Sequence, residues 1–289
     1  MSWTERLGFR LGFGQKVPVR FMATVTDPVS GDQDAARALT RGEIIYGSET
    51  LILRGANWDM PRASDAFRDY VHGFYWLRDV ARALPQERGG EFVRPIVSGW
   101  LARHDEPEGD AWRADRIGAR LAYWALYAPY ILSTRDADYR GAVLGHYARA
   151  ATHAERHMAR APQGLPRIIA AAGLVMAGLM LERGERRLAR AEKLLDGAMN
   201  AFIHPHGLPA SRCPADLILL MEWLHMLRAA YEARGEAWPD AQQGHDAMAR
   251  AGLRAVRLGD GRLTSLHGGN LLRASRIDHV LGWPGMAAR

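Results

Sequence analysis

His153 and His157 stand four residues apart, the spacing that lets two imidazoles on one helix face share a metal, and His146 lies seven residues before His153 on the same side. The intervening Ala154-Glu155-Arg156 does not complete a His-Glu-x-x-His pattern, and Arg149, Arg156 and Arg160 on the same surface would repel a dication. The stripe therefore reads as a basic, anion-facing surface, and neither a metal nor a cofactor is expected. The most chemically loaded loop is His204-Pro-His-Gly-Leu-Pro-Ala-Ser-Arg-Cys-Pro214, where His204, His206 and Arg212 meet two helix ends. Loops held by a rigid scaffold often carry function, although Gly207 and the prolines also suit an ordinary helix–helix turn. Cys213 precedes Pro214, a residue suited to the first turn of a helix, where a thiolate is favoured. A lone cysteine is nevertheless more often a small packing residue.

Other reaction classes lack their parts. Gly259-Asp260-Gly261 and His267-Gly268-Gly269 have turn chemistry, with no strand leading in and no Lys-Ser/Thr following, so a nucleotide-binding loop is excluded. No Gly-x-Ser-x-Gly nucleophile motif occurs. Aromatic stripes at helical spacing, Tyr70, Phe74, Tyr75 and Trp76, then Tyr123, Trp124, Tyr127 and Tyr130, are mostly core. Trp76 and Trp124 are retained as candidates for stacking on sugar faces.

The elements that must position these residues are nearly all helical. After an irregular arm over residues 1–30, a short helix is expected from Asp32 to Thr40. The runs Gly42–Tyr46 and Glu49–Leu53, joined by Gly47-Ser48, predict a β-hairpin. Ser64 is a plausible N-cap. Helices follow near 65–84, 90–104, 113–132, 136–160, 165–182, 184–203, 214–234 and 239–257. Residues 168–181 are apolar on every side, with Gly173, Ala177 and Gly178 permitting close approach, which places this helix in an inner layer. Residues 184–203 are amphipathic and form a covering layer. Residues 214–231 and 239–257 repeat the alternation. Antiparallel hairpins with one buried and one covering helix build α/α toroids and solenoids. The expected organisation is an arm with helix and hairpin over 1–63, an all-α toroid over 64–272 and a C-terminal tail over 273–289.

Of the 289 residues 48% are hydrophobic, enough for a core, and the one cysteine precludes an intramolecular disulfide framework. The formal charge of +6 comes almost wholly from arginine, Lys16 and Lys193 being the only lysines. Arginine forks suit carboxylate, sulfate and phosphate alike. Because the arginines scatter over several helix faces, nucleic acid is not an expected partner. The longest apolar stretch, Ile168 to Leu181, is 14 residues, short of the roughly 20 that span a bilayer. Residues 1–20 lack a secretory h-region, so the expected location is cytoplasmic and no membrane contact is foreseen.

The runs Tyr70-Val-His-Gly-Phe-Tyr-Trp-Leu-Arg-Asp79, Arg160-Ala-Pro-Gln-Gly-Leu-Pro-Arg-Ile168, Ala177-Gly-Leu179, Arg186-Arg-Leu188, Ile203-His-Pro-His-Gly207, Ser211-Arg-Cys-Pro214, Gly259-Asp-Gly261 and His267-Gly-Gly269 occur in that order. Together they resemble the heparinase II/III-like proteins of bacteria, from about residue 35 to 280. The resemblance implies an incomplete α/α toroid. In that family a C-terminal β-sandwich follows, and the lyases cleave uronate-containing polysaccharides by β-elimination in the cleft between the two.

Such elimination needs a neutraliser for the uronate carboxylate, a base for the C5 proton and an acid for the leaving oxygen. The family's Asn-His pair falls here at Pro166-Arg167, and its tyrosine at Asp216. The resemblance therefore implies Arg167, His206 and Asp216 as catalytic candidates, with Arg212, Arg78, Trp76, Trp124, His153 and His157 as substrate-binding candidates. Arg167 would neutralise a carboxylate through a bidentate contact. The chain stops at Arg289, where the family's connection to the sandwich begins, so an incomplete enzyme is expected. The expected partners are an acidic polysaccharide or oligosaccharide and a separate β-sandwich protein. The alternative is a helical protein-interaction or carbohydrate-binding module without catalysis.

Overall fold

The computed structural model describes residues 20–267 and 274–282; Gly268 and Gly269 and the end of the expected tail lie outside them. Asp32 caps α1 (Gln33–Thr40), its carboxylate accepting from the amides of Asp34 and Ala35, an arrangement worth about 1 kcal/mol. The hairpin then forms as β1 (Glu43–Tyr46) and β2 (Glu49–Ile52), antiparallel, with Ile44 opposite Leu51 on the buried face. Gly47 supplies the positive φ of 60° that the two-residue turn needs.

Ser64 caps α2 (Asp65–His72) through a 3.1 Å bond to the Phe67 amide. The sequence predicts one helix over 65–84, but the chain breaks after Gly73 and restarts as α3 (Trp76–Ala83). Phe74 sits at the break with φ 62°, costly for a bulky residue. Its fully buried ring lies 5.2 Å from each of the rings of Trp76, Trp100 and Trp124, so packing outweighs the backbone preference. There follow α4 (Gln86–His104), α5 (Ala114–Leu126), α6 (Ala128–Leu132), α7 (Ala137–His157), α8 (Leu165–Met180), α9 (Glu185–Phe202), α10 (Ala215–Arg234), α11 (Asp240–Ala255) and α12 (Ala274–Gly282). Pro129 near the start of α6 explains why the expected 113–132 helix divides.

The inner layer is set by small residues. Every residue of α5 is buried, as is every residue of α8 from Ala170 to Met180. Gly118 and Gly173 face each other where these helices cross, so closely that a methyl on Gly173 would enter the backbone of Gly118. At the other end of α8, Gly178 meets Leu188 of α9, while Gly164 lies against the Phe202 ring. The α8–α9 hairpin is thereby antiparallel, with α8 enclosed and α9 covering, and α10 and α11 repeat the relation. The described residues form an α/α toroid with one two-stranded hairpin. Within the stretch read as tail, α12 packs back with Ile277 and Val280 buried, and Arg250 of α11 donates to the Leu281 carbonyl at 2.9 Å.

Candidate functional site

Three inner helices bring their polar residues to one place. Arg78 is in the first turn of α3, Tyr123 is in the last turn of α5 with Tyr127 as its C-cap, and Glu222 and Met226 are one turn apart on α10. Arg78 grips Asp27 of the N-terminal arm with its fork, Nε at 2.9 Å from Oδ2 and Nη2 at 3.3 Å from Oδ1. The Tyr127 hydroxyl donates to the same Oδ2 at 2.7 Å. Glu222 lies 3.9 Å from Arg78 Nη1 and takes two bonds from Arg276 of α12, at 2.7 and 2.8 Å. Arg78 also rests over the Tyr123 ring, 5.1 Å from its centroid. Asp27 and Glu222 are each 4% exposed and Arg78 12%, so the Arg78–Asp27 pair is desolvated, whereas Arg276, 41% exposed, reaches Glu222 from the solvent side. Burial alone would lower the Arg78 pKa; Tyr123, Asp27 and Glu222 more than offset it and hold the guanidinium well above its ordinary value.

Beside this cluster Asp79 accepts from the Asp32 amide at 2.6 Å and from the Tyr70 hydroxyl. Burial pushes its carboxyl up to about 6, against the lowering effect of those two bonds. An open cleft of about 480 Å³ adjoins Arg78 and Asp27, walled by Thr24, Thr26, Ser30, Arg82, Gln86 and Tyr130. A smaller hollow of about 70 Å³ lies between α10 and α11, where His225, Asp246 and Arg250 bind one another.

The residues singled out from the sequence fall into distinct places. Arg167, half-buried in the first turn of α8, donates from Nε and Nη2 to the Ala161 carbonyl at 3.1 and 2.6 Å, and from Nη2 to the Ala159 carbonyl at 3.0 Å. Its guanidinium thus closes the turn between α7 and α8. The His204–Pro214 loop is at the same end of the α8–α9 hairpin, since the Ala210 amide bonds the Phe202 carbonyl at 2.7 Å. His206 is exposed, 5.3 Å from the His204 ring. Arg212 is exposed with φ 58°. Asp216 accepts from Ser211 Oγ at 2.6 Å, a contact local to the start of α10. Cys213 is buried, and burial followed by the Asp216 charge raises its pKa, which suits a packing residue.

Trp76 and Trp124 are each 1% exposed and enclosed by Phe74, Trp100 and His146. The expectation that they stack on a sugar is corrected: their helix faces turn into the aromatic core. His153 and His157 stack at 4.1 Å, and His153 meets Trp112 edge-on at 5.1 Å. Burial, then His157 and nearby arginines, lowers His153 to about 4. It is neutral at pH 7 and offers an anion no charge. Among the described residues no group of three or more His, Cys, Asp or Glu is arranged to hold a metal ion. Of the candidates only Arg78 joins the central cluster. Asp27, Glu222 and Arg276 escaped the sequence reading because each partner is dozens of residues away and the arm has no periodicity.

No family model matches the chain. Among solved structures, heparan sulfate lyase HepC of Pedobacter heparinus, in a mutant form, superposes with a TM-score of 0.58 at 14% identity, over 81% of this chain and 40% of that one. A heparinase III structure gives 0.57 at 15%, over 72% and 34%. The chain has the helical fold of the heparinase III structures. This heparinase III-type toroid also matches a curated protein, FtsZ-localized protein C of Caulobacter vibrioides, at 28% identity over 259 residues, 88% of this chain and 43% of that protein. The toroid therefore spans less than half the length of each of these relatives. Among its described residues no helix is long and apolar enough to cross a membrane.

Proposed function

We propose that this heparinase III-type toroid binds without cleaving, and that it acts as a recruitment module in the cytoplasm. The supporting observation is the mutual pairing of its inner charges: Arg78 with Asp27 and Arg276 with Glu222. Uronate elimination requires a group free to neutralise the sugar carboxylate, together with a base and an acid near the same carbon. Arg167 is committed to the carbonyls of Ala159 and Ala161, and Asp216 to the Ser211 hydroxyl. The 28% identical relative is named for its localization with FtsZ, which supports recruitment to an assembly containing FtsZ.

Two assays test this reading. Incubation with heparan sulfate and alginate should give no ultraviolet absorbance of an unsaturated uronate; turnover would overturn the non-cleaving assignment. The purified chain should co-sediment with FtsZ polymers, and its remaining in the supernatant would overturn recruitment. A second reading, recognition of an acidic saccharide, is favoured by the arginine and tyrosine hydroxyl gathered on one carboxylate at Asp27.

A further inference from the structure

The arm segment Phe21-Met-Ala-Thr-Val-Thr26 has the composition of a strand, and its burial alternates as in one. Met22, Thr24 and Thr26 are exposed, Phe21 and Ala23 half-buried and Val25 buried. It pairs only at its start, where Phe21 bridges to Leu181 and the Met22 amide bonds the Met180 carbonyl at 3.0 Å. Beyond that point the backbone N–H and C=O groups of Ala23, Thr24, Val25 and Thr26 have no hydrogen-bond partner among the described residues. The segment is nonetheless fixed along its length. The Phe21 ring meets Tyr147 edge-on at 4.7 Å, Val25 is in the core, and Asp27 is held by Arg78 and Tyr127. Gly31 lies so near the Arg78 carbonyl that a side chain there would clash. An extended edge that is held in place and lacks a neighbour is a template to which another chain adds by main-chain pairing.

This edge borders open space. Every residue from Thr24 to Gly31 except Pro28 lines the cleft of about 480 Å³, whose far wall includes Arg82, Gln86, Pro129 and Tyr130. Residues 23–26 present about 14 Å of edge at the rise of an extended chain, room for a partner stretch of about four residues. Asp27 and Arg78 also line the cleft but neutralise each other, while Arg82 is exposed and has no ion pair among the described residues. The uncompensated charge is thus a single cation, and the occupant that complements it carries a carboxylate. A saccharide has no ladder of amides and carbonyls to match the edge.

We propose that the docked arm is a strand-addition site for an extended acidic segment of a partner protein, which pairs with residues 23–26 and sets a carboxylate against Arg82. The assignment rests on the recruitment reading above and names the kind of segment recognised.

The test is titration of the isotopically labelled full chain, followed by amide NMR, with a blocked hexapeptide that alternates valine and glutamate. The amides of residues 23–26 should shift and gain protection from solvent exchange; no shift there at millimolar peptide would overturn the proposal. Alternate residues of a paired strand exchange their bonds with the partner. N-methylation of every second peptide residue should therefore weaken binding at least about tenfold in one phase, through the loss of two or three bonds, and much less in the other. Equal binding of both methylated peptides and the parent would overturn main-chain pairing. Arg82→Glu, at an exposed side chain the fold does not use, should weaken the glutamate peptide at least about threefold and strengthen a valine–lysine peptide by a similar factor. Indifference of both peptides would overturn the acidic assignment. Concentration-dependent dimerisation of the chain with the peptide unbound would give the edge to a second copy and overturn the partner. None of these readouts uses FtsZ. Peptide binding with the chain left in the supernatant by FtsZ polymers would sink the recruitment reading alone, and co-sedimentation without peptide binding would sink this one alone.

Discussion

The heparinase-like resemblance implies Arg167 as a carboxylate neutraliser, whereas its three hydrogen bonds to the Ala159 and Ala161 carbonyls close the turn between α7 and α8. Arg167→Ala should therefore destabilise the fold. Hydrogen bonds from a charged donor are each worth about 1.5–3 kcal/mol. Here two carbonyls lose their partner, but the site is half-buried, so water re-enters and solvates part of what is lost. The net cost expected is about 2 kcal/mol. Arg167→Lys, a point charge that reaches one carbonyl at a time, should lose about half as much. Urea unfolding at pH 7 measures this as a lower midpoint with an unchanged m value. A loss below about 0.5 kcal/mol, the level of an ordinary surface change, would refute the reasoning. It would mean that the guanidinium is not bound to those carbonyls in solution, and Arg167 would again be available to a uronate.

Gly173→Ala should cost about 2 kcal/mol, an overpacking penalty of about 3 reduced by about 1 of helix propensity. The added methyl meets the Gly118 backbone, which cannot rotate away. Gly197→Ala, on open α9 surface, should instead stabilise by about 1 kcal/mol, and thermal unfolding of the two variants tests the reversal of sign. Burial raises the Asp79 pKa from 3.8 to about 6, so in this window the folded chain holds a proton that the unfolded chain has released. Its contribution is full below about pH 4 and is lost as pH rises through 6, by roughly 3 kcal/mol. Asp79→Asn should remove that decline from the stability profile between pH 4 and 6. Burial lowers His72 to about 2 and His146 to about 4. The stability each contributes as a neutral ring is full above about pH 6.5 and falls as pH drops toward those values. An NMR titration should show both rings neutral at pH 5.5, and a midpoint near 6.5 for either would contradict the burial argument.

The architecture was legible because helix periodicity and glycine placement are local. The apolar run after Ile168 with Gly173 and Gly178 can only be an enclosed helix, and the structure encloses it. The Gly47-Ser48 turn and the Ser64 cap are equally local and are as expected. The break at Phe74 was not legible, since it depends on a pocket of tryptophans from α4 and α5. The site was legible only at Arg78. Its partners Asp27 and Glu222 lie 51 residues before and 144 after it, and nothing in the spacing of a carboxylate marks which arginine it will meet. The aromatic candidates Trp76 and Trp124 show the converse problem: a sugar-stacking face and a core face have the same period, and burial alone separates them.

A desolvated Arg78–Asp27 pair, with the part-exposed Arg276–Glu222 pair beside it, is an expensive way to stabilise a ring that already has Trp76, Trp100 and Trp124 in its core. Removing ions from water costs several kcal/mol apiece, and apolar residues often serve as well. What the pairs achieve is placement. Asp27 belongs to the segment that enters the toroid and Arg276 to the last described helix, so each pair docks one flank of the chain on the inner helices. The flanks also meet each other, His279 of α12 lying 3.4 Å from the Pro28 carbonyl. A cleft that processes a polymer must keep its charged seat open to the substrate. Here the chain's own Asp27 fills the place beside the Arg78 fork, and Glu222 lies 3.9 Å from the same guanidinium.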